Sequence, residues 1–258
     1  MILHHSTWPD VEAYLKRSKG LVIPTGSTEQ HGPTGLIGTD SITAETIAYA
    51  MAKRCGALVG PTLTLSQAQF NLSFPGTISL RPTTLIQVII DYVQSLARHG
   101  FERFYFLNGH GGNISPAHCA FQELYADQSL GRHAVPTVHC RLRSWWDFAE
   151  VNEIRQRLYG AAEGMHATPS ELAITRHQLP AASRPDQLSP PALLSADFIK
   201  LHGGDNHEHA AAHRAQFPDG RVGSHSALGM AEHGRALIES AAEAAAKDYS
   251  EFLSASES

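Results

Sequence analysis

The sequence is poor in cysteine and has no long apolar run. Its three cysteines, Cys55, Cys119 and Cys140, are odd in number and widely spaced, which disfavours a disulfide framework and predicts a reduced interior. No apolar stretch approaches the roughly 20 residues that a membrane-spanning helix needs, and residues 1–20 lack the basic start and apolar core of a signal peptide. We therefore predict a cytoplasmic protein with no membrane partner.

The sequence also lacks an excess of positive charge. It has 20 Lys and Arg against 25 Asp and Glu, which gives a formal net charge of −5. Proteins that bind nucleic acid need a positive surface for the phosphate backbone, so we expect no nucleic-acid partner. The 42% of hydrophobic residues is typical of a globular protein. Histidine is abundant, with 16 residues, and this directs attention to metal ligands and proton carriers.

Short apolar runs alternate with segments of helical periodicity along the chain. The predicted strands cover residues 20–25, 57–61, 101–107 and 134–140. The predicted helices cover residues 41–54, 81–99, 116–129, 170–177 and 227–252. Strands separated by helices need crossover connections, which build an α/β fold with a parallel sheet covered on both faces.

No repeat, linker or sharp change of composition divides the chain, so we predict a single domain over residues 1–258. Residues 180–226 are irregular and contain many prolines and glycines, and we expect a long surface excursion there. In parallel α/β sheets, functional side chains collect in the loops after the carboxyl ends of strands. A site is therefore expected after Thr25 and after Leu107.

Four potential metal ligands follow these two strands. Glu29 and His31 are two residues apart, so in an extended chain their side chains point the same way. Asp40 follows across a glycine-containing loop that can fold back, and His110 lies between glycines that leave its imidazole room. Carboxylates and imidazoles are ligands that zinc, manganese and iron accept. One ion could use three of these side chains, and further acids downstream allow a two-metal site with a bridging carboxylate.

Other interpretations of these residues remain open at this point. Glu29 and His31 could be solvated loop residues, and Asp40 could cap the helix that follows it. His110 could lie in a phosphate-binding turn, although the glycines around it lack the spacing of a dinucleotide-binding loop. Their common place after strand ends favours the metal site.

Five segments carry motifs that occur together in one known family. They are Gly26–Pro33, Gly38–Asp40, Phe74–Ile78, Asn108–Asn113 and His166–Glu171. In this order they resemble the signatures of the creatininase (creatinine amidohydrolase) family. The resemblance extends from about residue 20 to residue 175, and five ordered motifs make it specific.

The resemblance implies a three-layer α/β/α domain, a binuclear metal centre and hydrolysis of a C–N bond, in many members by a homo-hexamer. By position, Glu29 and His110 would hold one metal ion, His31 the other, and Asp40 would bridge both. Glu171 would complete the second site. On the residues alone, Glu171 is better explained as a first-turn helix acid. The ions would be zinc, with manganese or iron as alternatives.

Two positions depart from the family pattern. Members that act on creatinine carry a ligating Glu two residues after the histidine that matches His110, and this chain has Gly112 there. The second ion must then depend on Glu171, which puts creatinine in doubt as the substrate. Many relatives also have a histidine three residues before the Phe-Pro-Gly-Thr run, where this chain has Asn71.

The resemblance also suggests which residues handle the substrate. His166 is the candidate proton donor to the departing nitrogen, since the matching family histidine has that role and imidazole transfers protons near neutral pH. Glu163 is the second choice. Trp145 and Trp146 match the region where relatives carry a mobile tryptophan over the substrate, but they could equally anchor a subunit interface.

The leading hypothesis is a metal-dependent, homo-oligomeric amidohydrolase that acts on a non-peptide C–N bond of a small cyclic or linear amide. A formamide deformylase, or a peptidase that trims a cofactor-precursor peptide, remains open within the class. A non-catalytic metal- or metabolite-binding protein on the same scaffold is the alternative of another class. The histidine-rich segment Leu201–His213 could suggest another metal site, but we expect a solvated loop there.

Overall fold

The computed structural model describes residues 1–131, 137–184 and 187–255. Its central sheet has three parallel strands, with the second strand in the middle. The strands are β1 (Gly20–Thr25), β2 (Arg103–Asn108) and β3 (His139–Ser144). Thr25 pairs with Asn108, which pairs with Ser144. The carboxyl ends of all three strands therefore lie side by side at one edge of the sheet.

Helices of very different length connect and follow the strands. They are α1 (Trp8–Leu15), α2 (Thr39–Cys55), α3 (Pro82–Ala97), α4 (Ile114–Ser129), α5 (Ala149–Leu158), α6 (Pro169–Gln178), α7 (Ala196–Leu201), α8 (Ala210–Gln216) and α9 (Ala231–Ser254). Among the described residues, no helix combines the length and the apolar character that crossing a membrane would require.

Two apolar cores lie on opposite faces of the sheet. Val22 and Tyr105 belong to the core that includes α2, α6 and α9, whereas Leu21 and Phe104 belong to the core with α1, α3 and α4. Neighbouring strand residues point to opposite faces, so near-continuous apolar runs fill both cores. The predicted α/β class, with a parallel sheet between two helical layers, is confirmed.

Two predicted strands and one helix differ from the structure. Residues 57–61 form only isolated parallel bridges, in which Val59 pairs with Ile2 and with Val22 of β1. Val22 bonds to Leu58 and Gly60, but the ladder stops there because Pro24 of β1 has no N–H to donate. The fourth predicted strand corresponds to β3, which begins at His139 and continues to Ser144; residues 134–136 lie outside the described part of the chain. Strand β3 contains Arg141 and Arg143, so it lacks the apolar run by which the other strands are predicted. Helix α9 begins at Ala231, after a separate turn at Ser226–Leu228.

The predicted surface excursion at residues 180–226 contains α7 and α8 and reaches the protein interior. His213 is buried, and the ring centroids of His207 and His213 lie 4.8 and 4.9 Å from that of Phe70. The prediction of a solvated loop at Leu201–His213 is therefore wrong for His207 and His213, although Leu201, Asn206 and His209 are exposed. Aromatic packing of imidazoles, rather than polarity, determines where this segment lies.

The buried imidazoles predict how stability depends on pH. Burial, together with neighbouring histidines, lowers the pKa of His207 to about 3 and that of His213 to about 4. Between about pH 6.5 and pH 4 the unfolded chain therefore binds more protons than the folded chain, so the free energy of unfolding falls as the pH is lowered through this range. In urea unfolding curves, His213→Phe should make this pH dependence shallower. The same substitution at the exposed His118 should leave it unchanged, and equal slopes in all three proteins would contradict the analysis.

Candidate metal centre

The five predicted metal ligands converge at the carboxyl edge of the sheet. Glu29 and His31 lie in the loop after β1, and His110 lies just after β2. Asp40 is in the first turn of α2 and Glu171 in the first turn of α6. All five residues are at most 8% exposed, so none is a solvated loop residue.

A glycine next to His110 permits this convergence. A Cβ atom at Gly109 would lie 2.3 Å from the backbone oxygen of Asp40, which is closer than any side chain tolerates. The end of β2 can therefore pack directly against the start of α2. Because α2 begins at Thr39, Asp40 is not the helix cap, and its carboxylate is free to face the two histidines.

Asp40 lies between the two imidazoles. His31 Nε2 is 2.8 Å from Asp40 Oδ1, and His110 Nδ1 is 3.1 Å from Asp40 Oδ2. Each carboxylate oxygen thus faces a different histidine, as a bridging carboxylate must.

The potential ligands form two groups of three that share Asp40. Within each group, one ligand atom from each residue lies within 4.8 Å of the others. The first trio is Glu29, Asp40 and His110, and the second trio is His31, Asp40 and Glu171. A further group, Glu29, His31 and His166, meets the same distance criterion. The two trios reproduce the division of ligands that the family resemblance implies.

Several atoms at the centre of the site are buried but unsatisfied. Among the described residues, none forms a hydrogen bond with Glu29 Oε1, His31 Nε2 or Asp40 Oδ2. The contacts of Asp40 with His31 and His110 are ion pairs only when the histidine is protonated. Since buried polar atoms are almost always satisfied in folded proteins, these donor atoms fit divalent cations.

Backbone carbonyls orient the two imidazoles. His31 Nδ1 lies 3.2 Å from the Glu29 carbonyl oxygen, and His110 Nε2 lies 2.9 Å from that of Gln67. Each carbonyl can accept the one N–H of a neutral imidazole, which leaves His31 Nε2 and His110 Nδ1 unprotonated toward the centre. Such carbonyl contacts are usual for metal-ligating histidines.

In Glu29 and Glu171, a hydrogen bond to one carboxylate oxygen, Oε2, holds the side chain in place. Ser27 Oγ donates to Glu29 Oε2 at 3.2 Å. Glu171 Oε2 accepts the Thr168 N–H at 2.8 Å and so completes a helix capping box. The interpretation of Glu171 as a helix-end acid is thus correct for one oxygen, and the other remains available to a cation.

Burial of this much negative charge is unfavourable without a cation. Burial raises the pKa of Glu29 to about 8 and that of Glu171 to about 7, and repulsion from Asp40 adds to both shifts. Burial opposes protonation of His31, but Asp40 raises its pKa to about 10. Without a cation, the carboxylates and His31 therefore tend to bind protons, which reduces the net negative charge of the site. Divalent ions would replace these protons.

His166 lies beside the trios rather than within them. Its ring centroid is 4.5 Å from that of His31, and its Nε2 is 2.7 Å from the Gln30 carbonyl oxygen. Its Nδ1 is 3.5 Å from Glu29 Oε1. The divergent Asn71 contacts the same ring, with its Nδ2 3.4 Å from His166 Nε2.

A cavity of about 180 Å³ opens onto this centre. Its wall includes Asp40, His110, His166 and both tryptophans. Trp145 is 1% exposed and belongs to the core, so it cannot anchor a subunit interface in this conformation. Trp146 is half-buried at the same wall.

The structure places Glu163 behind the cavity wall. Its Oε1 accepts from Arg155 Nε at 2.9 Å and also from Ser170 Oγ. Arg155, not Glu163, lines the cavity, and its guanidinium also lies over the Trp145 ring. Sequence analysis overlooked Arg155, because it lies in a polar helix outside the motifs and nothing in the sequence distinguishes it from a surface arginine.

Asp205 belongs to the segment that sequence analysis expects to be a solvated loop, but it approaches the centre from the turn between α7 and α8. Its Oδ2 lies 3.5 Å from His110 Nδ1. The only signal in the sequence was the histidine-rich segment around it, which we expected to be solvated.

Comparison with known proteins agrees with this geometry. The family described as creatininase (creatinine amidohydrolase) matches residues 4–249. The chain belongs to the creatininase family. The recognition of the family from its motifs is thus confirmed.

Relatives within the family carry different names. The creatinine amidohydrolase of Pseudomonas putida is 32% identical over 59% of this chain and 60% of its own length. The mycofactocin precursor peptide peptidase of Mycobacterium ulcerans is 34% identical over 47% of this chain and 48% of its own. The chain thus matches less than two thirds of either relative. The structure of a creatininase variant of Zn–Zn type is similar, with a TM-score of 0.79 and 25% identity over 98% of both chains.

Replacement of a ligand of the first trio should reduce metal binding without unfolding the protein. We expect Glu29→Gln and His110→Ala each to lose at least one bound ion, as measured by elemental analysis, while circular dichroism shows a folded protein. The metal-free Glu29→Gln protein should melt at or above the temperature of the metal-free wild type, because a buried carboxylate is neutralised.

Glu123→Gln, at an exposed acid of α4, is the matched control and should bind metal like the wild type. Retention of the full metal content by both trio variants would contradict the ligand assignment.

Proposed function

We propose that this chain is a hydrolase that uses two divalent metal ions to cleave a C–N bond in a small cyclic or linear amide. The observation that carries the proposal is the pair of trios that share the bridging position of Asp40. The names of the two relatives support it, because a creatinine amidohydrolase and a peptidase both cleave C–N bonds. The single domain, the homo-oligomeric state and the cytoplasmic location remain predictions.

The residues divide the chemistry between them. Two ions held by the trios, zinc by preference and manganese or iron as alternatives, would polarise the amide carbonyl and lower the pKa of water. His166 keeps one ring nitrogen on the Gln30 carbonyl, which leaves Nδ1 to accept a proton from the attacking water and pass it to the departing nitrogen. Trp145 and Trp146 would hold the amide against the centre, and Glu163 would act only through Arg155.

The cavity favours a small substrate, and Gly112 puts creatinine in doubt as that substrate. Its volume of about 180 Å³ is below the range of drug-sized ligand pockets. At Gly112, a Cβ atom would lie 2.4 Å from the Gln67 oxygen and 2.6 Å from His110 Nε2. The ligating glutamate of creatinine-acting members therefore does not fit here without rearrangement, and the second trio depends on Glu171.

A peptidase that trims a precursor peptide is the second candidate, because one relative carries that name. A formamide deformylase uses the same chemistry. The alternative of another class is a protein that binds metal without catalysis.

A substrate screen tests the proposal. The purified protein, with its metal content determined and restored, is assayed against creatinine, small cyclic amides, formamides and short peptides. We expect metal-dependent release of an amine from a small amide or formamide. Cleavage of peptides alone would favour the second candidate, and bound metal without any turnover would favour the non-catalytic alternative.

A variant of His166 distinguishes a proton carrier from a ligand. We expect His166→Ala to retain both ions, to reduce kcat by about 10²–10⁴-fold and to change KM little. Elemental analysis and steady-state kinetics on the active amide measure this. Loss of an ion from His166→Ala would instead make His166 a ligand, as its group with Glu29 and His31 allows.

A further inference from the structure

Asp205 is a buried carboxylate that a distant segment brings to the edge of the candidate metal centre. It lies between α7 and α8, and its side chain is only 10% exposed. Two neighbouring residues anchor the segment just after Asp205: Gln69 Nε2 donates to the His207 carbonyl at 3.1 Å, and His213 packs on Phe70. The position of Asp205 is therefore part of the packed structure.

The carboxylate of Asp205 is directed at the first trio. Its Oδ2 lies 3.5 Å from His110 Nδ1, the ring nitrogen that also faces Glu29 Oε1 at 3.5 Å and Asp40 Oδ2 at 3.1 Å. Glu29 Oε1 and Asp40 Oδ2 are the buried atoms that have no hydrogen-bond partner among the described residues. Three carboxylates thus surround one imidazole nitrogen.

Two glycines make room for this carboxylate. The Gly112 N–H donates to Asp205 Oδ2 at 2.8 Å. A Cβ atom at Gly111 would lie 2.5 Å from the same oxygen. Even alanine at position 111 would therefore displace the carboxylate. The glycine pair after His110 forms a cradle for Asp205.

We propose that Asp205 is an additional carboxylate of the metal centre, which strengthens the binding of the ion held by the first trio. This inference rests on the proposed metal centre. A carboxylate in the cradle adds negative charge beside the cation and helps to fix the position of His110. The segment from α7 to α8 then contributes directly to the metal site, in addition to its packing against the rest of the protein.

Calorimetric titration of the metal-free protein with Zn²⁺, in competition with a chelator of known affinity, tests the proposal. We expect Asp205→Asn to weaken one of two Zn²⁺ equivalents about 10- to 100-fold and to leave the other unchanged. Asparagine keeps the shape of the side chain and tolerates the left-handed backbone of this position, where φ is 56°. Asp197→Asn, at an exposed acid of α7, removes the same charge and should bind Zn²⁺ like the wild type.

Gly111→Ala provides an independent variant with Asp205 intact. It should weaken the same equivalent, and it replaces Asp205→Asn in the test if that variant does not fold by circular dichroism. Binding of both equivalents by Asp205→Asn within twofold of the wild-type affinity would overturn this inference alone. If the wild type binds no Zn²⁺, the proposed metal centre fails and this inference fails with it.

Discussion

The repulsion among buried carboxylates is the constraint on which the site depends. Glu29, Asp40 and Glu171 are each at most 8% exposed, and two imidazoles are their immediate counterparts. Charges in such surroundings are stable only when they are paired. Burial, with repulsion from Asp40 in addition, raises the pKa of both Glu29 and Glu171, so their charged forms are unfavourable in the protein alone. Divalent cations would supply the balancing positive charge, and the same cations would supply the electrophile for amide hydrolysis.

The fold meets this constraint by combining residues from separate elements. Parallel strands bring the loop after β1 and the loop after β2 to the same edge, and the first turns of α2 and α6 face that edge. The apolar cores on both sides of the sheet hold these elements in place. The ligands can therefore remain close despite their repulsion, because packing elsewhere in the molecule outweighs it.

Local sequence patterns predict part of this architecture. Apolar runs predict β1 and β2, and the strand-end rule predicts Glu29, His31 and His110 at one edge. Strand β3 was misplaced because Arg141 and Arg143 interrupt its apolar character; both are bonded to Asp248 of α9. Nothing local to the chain reveals such a pairing. Pro24 of β1, which has no N–H, similarly limits the predicted strand at residues 57–61 to isolated bridges.

Long-range contacts explain the remaining differences. Glu171 became a candidate ligand only through the family resemblance, since its local environment is that of a helix-end acid. Asp205 meets the backbone of Gly112, a residue 93 positions earlier in the chain. The packing of His213 on Phe70 brings this segment to the metal centre. A histidine-rich sequence does not by itself predict such packing. The strand ends and the motifs that resemble the family thus predict the centre of the site, whereas its outer wall depends on tertiary structure.

The central claim is that Asp40 bridges two cations, one beside His110 and one beside His31. Anomalous diffraction from crystals grown with Zn²⁺, recorded above and below the zinc absorption edge, tests it most directly. The account predicts two anomalous peaks at the carboxyl edge of the sheet, on either side of the Asp40 carboxylate. A map without zinc at this edge, or with zinc only elsewhere on the protein, would contradict it.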